Sequence, residues 1–102
     1  MIGAWEFTEQ VNLGMKVLDQ HWPGWEKRVD LAKLNLRTSS HCILGQVFGH
    51  MNNGVRALVD MDPGTQDYNY WQDHGFIPGR AGAGYGPLTR AWKQAIQARS
   101  AA

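Results

Sequence analysis

The chain has 102 residues, is 43% hydrophobic, and carries ten basic against nine acidic residues for a formal net charge of +1. That is one domain with enough apolar mass for a single modest core. The balance excludes a disordered segment and argues against a dedicated nucleic-acid binder, which carries a basic stripe. A single cysteine cannot form an internal disulfide and fits a reducing cytoplasm. No uncharged run approaches the roughly 20 residues that cross a bilayer, and the start of the chain lacks the basic region and apolar run of a signal peptide.

In chain order, the first helix is expected from about Ala4 to His21. Phe7, Val11, Leu18 and Trp22 share a face, with Met15 beside it and Gly14 in the middle of the stripe. Pro23 disfavours helical geometry at Trp22 and ends the element. Pro23-Gly24 is a corner, and Trp25 to Val29 reads as a turn or two of helix with Trp25 and Val29 inward. Asp30 caps a further short turn, Leu31 to Leu34. A short strand at Leu34 to Thr38 would have no partner for its backbone groups, so that region reads as irregular or helical.

The most apolar stretch, Cys42 to Met51, is expected to be the central core helix. Leu44, Val47, Phe48 and Met51 recur at helical spacing on one face. Ser39 or Ser40 is placed to cap it, and Asn52-Asn53-Gly54 to close it. Gly45 and Gly49, four residues apart, suggest a close neighbour on one side. Beyond it, Val55 to Val59 forms another turn or two, Asp62-Pro63-Gly64 is a turn, and Thr65 caps a segment reaching His74. Tyr68 and Trp71, with Tyr70 as a further candidate, would face inward from that segment. Gly79 to Gly86 is a glycine-rich loop, and the last helix opens with Pro87 at its first position. Its buried stripe is Leu88, Ala91, Trp92, Ala95 and Ile96, and Arg99 to Ala102 reads as a frayed tail. The expected fold is therefore all-α: one small helical bundle over residues 1–102, three main helices with short helical turns, packed antiparallel.

Few residues promise chemistry. His21, His41, His50, His74 and Cys42 match no zinc spacing, so no metal or cofactor is expected. Cys42 begins an apolar helix and reads as structural. No nucleophile–base pair can be assembled, which argues against an enzyme. Two features remain as candidate binding groups. One is the aromatic cluster Tyr68, Tyr70 and Trp71, of which at least one ring should be exposed and available to a partner. The other is Arg80 with Tyr85 in the glycine-rich loop, either an anion site ahead of a helix N-terminus or a plain connector.

Leu18-Asp19 with Pro23-Gly24-Trp25, then Cys42 to Gln46 with Phe48-Gly49, His74-Gly75-Phe76, and Leu88 to Trp92 form a further pattern. Over nearly the whole chain it resembles a group of short proteins encoded by phages and prophages of actinobacteria. The resemblance implies an intracellular accessory protein, as in host takeover or counter-defence, and carries no catalytic or ligand residues with it. Two functions follow as expectations: a module that engages or inhibits a host protein through an aromatic surface, or a binder of a small anionic ligand such as a nucleotide. A membrane partner is not expected, and homo-oligomerisation stays open.

Overall fold

The computed structural model describes residues 7–67, 69–79 and 84–101. Helix α1 spans Thr8–His21, α2 Ile43–Phe48, α3 Met51–Met61, α4 Tyr70–Asp73 and α5 Tyr85–Ala101. Two 3-10 turns, Trp25–Arg28 and Pro63–Gln66, complete the architecture. Among the described residues there is no strand, so the chain is a small all-α domain with three main helices, α1, α3 and α5.

Of the expected stripe of α1, Phe7, Val11 and Leu18 are buried with Met15, Gly14 and Val17 beside them, while Trp22 is half-buried. Gly14 has a reason to be there. A Cβ at that position would overlap the carbonyl oxygen of His74 and lie 3.0 Å from two carbons of the Trp92 ring. Trp92 is fully buried. Its Nε1 donates to the Gly75 carbonyl at 2.7 Å, and its ring stacks on Phe76 at 5.9 Å and meets Trp25 edge-on at 6.0 Å. One side chain thus joins α5, the turn after α4, the 3-10 turn and α1.

The long helices α1 and α5 lie side by side and parallel, where the sequence suggested antiparallel packing. Phe7 at the start of α1 lies against Gly84 just before α5, and Asp19 near the end of α1 binds Arg99 near the end of α5. The intervening α2, α3 and α4 carry the chain back so that the last helix can run alongside the first. Arg99 consequently belongs to a helix that continues to Ala101 rather than to a frayed tail, and Ala102 lies outside the described residues. Pro87 is the third residue of α5 rather than its first; the opening residues of a helix have no intrahelical use for their N–H groups, so proline is tolerated at either place.

The central stretch differs most from expectation. Leu44 and Val47 are buried as anticipated, but Cys42 to Met51 is not one helix. Gly49 adopts φ 89°, His50 is extended, and its Nδ1 accepts the Asn52 N–H at 3.1 Å to begin α3. Asn52-Asn53-Gly54, expected to stop a helix, forms the first turn of the next. Gly54 is buried where a Cβ would press on Leu44 and Phe48, so α3 folds back onto α2. Phe48 and Met51 end up half-buried at this joint. The cap is also reassigned: Cys42 Sγ accepts the Gly45 N–H at 3.2 Å. The backbone of Ser39 and Ser40 instead passes directly over Gly45, beside the helix rather than ahead of its first turn.

The expected segment from Thr65 to His74 is likewise divided. Asp62 caps the Pro63–Gln66 turn through the Gly64 N–H at 2.8 Å. The Thr65 hydroxyl donates back to the Asp62 carbonyl at 2.9 Å instead of starting a helix. α4 begins only at Tyr70.

Candidate functional site

Tyr70 and Trp71 come together, Trp71 facing inward as the sequence anticipated and Tyr70 the more deeply buried of the two. Tyr70 is 3% exposed; its ring stacks on His74 at 4.1 Å and meets Trp71 edge-on at 5.0 Å. The Tyr70 hydroxyl donates to Asp62 Oδ2 at 3.1 Å. Burial and the neighbouring Asp62 carboxylate push the phenol well above its usual range. His74 Nδ1 lies 2.8 Å from the Tyr70 carbonyl, which can only accept, so that nitrogen carries the proton. Trp71 is half-buried against Phe76. An exposed aromatic anchor at Tyr70 is therefore corrected: its ring and hydroxyl tie α4 to the preceding turn. Tyr85 is half-buried beneath the Arg37 guanidinium, 5.1 Å from the ring centre. Tyr68 and Arg80 lie outside the described residues. Two of the described glycines of the loop serve packing: Gly84 faces Pro78 and Phe7, and Gly79, at φ 91°, faces Gln72, whereas Gly86 is exposed and uncrowded.

Cys42 is a buried free thiol that burial pushes above its ordinary pKa. Among the described residues no three His, Cys, Asp or Glu side chains gather as a metal-binding group.

A different aromatic feature is open to solvent. α1 ends at His21, and the Trp22 N–H closes it on the Leu18 carbonyl at 2.8 Å. Pro23 and Gly24 then turn the chain, Gly24 in the left-handed region at φ 86° with nothing within 4 Å of where a side chain would begin. The turn that follows buries Trp25, whose Nε1 donates to Asp19 Oδ1 at 2.8 Å. These steps leave a cleft of about 410 Å3 between Trp22, Pro23, Trp25 and Val47, with Lys27 and Arg28 also on its wall. Trp22 is half-buried, held edge-on by Phe48 at 4.9 Å and by His21 at 5.6 Å. Arg28 Nη1 donates to the Val47 carbonyl at 3.2 Å, fixing the guanidinium at the C-terminal turn of α2.

Charge around this cleft is sorted by contacts. Arg99 holds Asp19 through two hydrogen bonds of 2.8 Å and lies 4.0 Å from Glu26. The Arg99 hydrogen bonds hold the Asp19 carboxyl below its usual range. Asp19 is thus paired with Arg99, Glu26 lies at the edge of that pair with its Oε2 buried and without a hydrogen bond among the described residues, and Lys27 and Arg28 line the cleft. A second, shallower groove of about 310 Å3 lies between α1 and α5, lined by Met15, Asn12, Gln94 and Ala95 among others, without a charged group.

The Trp22 cleft was not singled out in the sequence because Trp22 completes the apolar stripe of α1 and reads as core. The signal that would have found it is Pro23: a helix stopped one residue before its stripe ends leaves the last ring at the rim. No helix among the described residues is long and apolar enough to cross a membrane. Comparison with protein-family models, with curated proteins and with solved structures found no match.

Proposed function

We propose that this chain is a small accessory binding protein that engages or inhibits another protein through the Trp22 cleft, with no chemistry of its own. One observation carries the reading: a half-buried tryptophan at the mouth of an open cleft, beside a fixed arginine. Binding energy at protein interfaces concentrates in tryptophan, tyrosine and arginine anchors seated in pockets. The aromatic surface is thereby assigned to Trp22 rather than to the Tyr68–Trp71 segment. The resemblance to phage proteins of actinobacteria supplies the kind of partner, a host protein met in the host cytoplasm.

Retention of a host protein from actinobacterial lysate by the intact chain, its loss with Trp22→Ala and its persistence with Trp71→Ala would support this. A hot-spot anchor implies a loss of about 2 kcal/mol or more on truncation. Equal retention by the intact chain and a folded Trp22→Ala variant would refute it. The second reading, a small anionic ligand such as a nucleotide, is favoured by Lys27 and Arg28 beside the same ring. Calorimetric heat with a nucleotide panel, without an enriched protein, would select it.

A further inference from the structure

Resting on the reading of the Trp22 cleft as a protein-binding site, we infer that its partner is an acidic peptide segment that inserts an apolar side chain between Trp22 and Val47. The charge pattern supplies the first half of this inference. The chain as a whole is nearly neutral, yet its charges are not evenly mixed here. Asp19 and Glu26 face Arg99 on one side of the 3-10 turn, while Lys27 and Arg28 line the cleft on the other. A cleft with one sign of charge on its walls concentrates oppositely charged groups and speeds their arrival.

Arg28 is more than a diffuse charge. Its bond to the Val47 carbonyl uses one of five guanidinium donors, and the others have no partner among the described residues. A carboxylate can take two of them at once, the planar pairing for which arginine is suited. The Val47 contact orients the exposed guanidinium toward the cleft side of α2, which lowers the side-chain entropy lost on pairing.

The cleft interior supplies the second half. Trp22, Pro23, Trp25 and Val47 offer carbon surface, and the missing side chain at Gly24 keeps the entrance open. Its volume of about 410 Å3 lies within the roughly 300–1,000 Å3 of sites that take compact groups. Trp22 is held between Phe48 and His21, so the apolar wall is formed before a ligand arrives. Nucleic acid makes another demand, a track of cations along a phosphate backbone, and two cations, with Asp19 and Glu26 sharing the single Arg99 close by, do not provide one.

The test uses three blocked peptides of equal length, each with two central leucines flanked by glutamates, by glutamines or by lysines, together with an oligothymidylate. Tryptophan fluorescence titration of the intact chain reads the binding. The glutamate peptide is expected to bind at least about tenfold more tightly than the glutamine peptide, with the advantage shrinking as salt rises. Lys27→Glu should abolish that advantage, and Arg28→Gln should reduce it several-fold. Arg90→Glu, the same charge change on an exposed residue two and a half turns before Arg99 in α5, should leave it unchanged. Melting curves of each variant establish that the fold is retained. Equal binding of the glutamate and glutamine peptides, both lost with Trp22→Ala, would overturn the charge inference and leave the cleft as a protein site. Preference for the lysine peptide or the oligothymidylate would overturn it as well. Absence of binding by all four probes would also overturn it, while the lysate comparison decides independently whether the cleft binds a protein.

Discussion

Replacing Gly14 with alanine should destabilise the protein, although in a free helix the same change is favourable by about 1 kcal/mol. The new methyl group would overlap the His74 carbonyl oxygen and crowd two carbons of Trp92 at 3.0 Å. Neither obstacle yields cheaply. The oxygen belongs to the backbone of a turn, and the indole is fully buried and tied to Gly75 through a 2.7 Å hydrogen bond. Relief requires α1 to move away from α5 and the turn. Overpacking of this kind costs about 1–3 kcal/mol, and a weakened buried hydrogen bond adds about 1 kcal/mol. After subtracting the propensity gain, a net loss of about 2 kcal/mol is expected. For a domain of this size Tm moves by about 4–8 °C per kcal/mol, so a circular-dichroism melt should fall by about 8–16 °C. Gly86 is the control: it lies in α5, and a Cβ there meets only Arg90 Nη1 at 3.7 Å. Gly86→Ala should hold Tm or raise it slightly. A Gly14→Ala protein melting at or above the parent would refute the close packing of Trp92 against α1.

Gly49→Ala should cost about 1–2 kcal/mol from its positive φ alone, since nothing crowds the site; Gly49→Asn should recover part of that in urea titrations. Cys42 should react slowly with a thiol reagent at mildly alkaline pH and rapidly in denaturant, because burial raises its pKa and hides the sulfur. Cys42→Ser should retain the helix cap that Cys42→Ala loses, a difference of about 1 kcal/mol. The Asp19 carboxyl should titrate below the usual aspartate value of about 3.9 in carboxyl NMR. Because the folded pKa is the lower one, its contribution to stability is present above the unfolded value and lost as pH falls through the folded value. Arg99→Ala should remove that dependence at a cost below about 1 kcal/mol at neutral pH, the pair being partly exposed.

The apolar periodicity of α1 and α5 was legible because core-facing residues repeat every three or four positions, and Val11, Leu18, Leu88, Trp92 and Ile96 are all buried. The break at Gly49 was not legible. The apolar stripe runs on from Leu44 through Phe48 to Met51, and the groups that interrupt it come from elsewhere: the Met51 N–H is taken by Ser39, and the new helix is capped by a histidine. The candidate site shows the same division. That Tyr70 and Trp71 would cluster followed from their proximity, whereas the Tyr70 hydroxyl is taken by Asp62, eight residues back across a 3-10 turn, and no single helix or strand joins the two residues for a period to relate them. The stripe alone gave no sign of Trp22's position, because it predicts which way a ring points, not whether anything covers it; only Pro23 marked the end of the helix there.

The parallel pairing of the first helix with the last has a consequence for biosynthesis. Trp25 gains its cover from Trp92, and Asp19 its partner from Arg99, 80 positions later. On a ribosome adding about 5–20 residues per second, Trp25 waits about 3–13 seconds for Trp92 to be made. Throughout that interval the nascent chain presents an unfinished apolar surface to chaperones and proteases. A translation product halted before α5 would lack Trp92 and leave Trp25 without that cover.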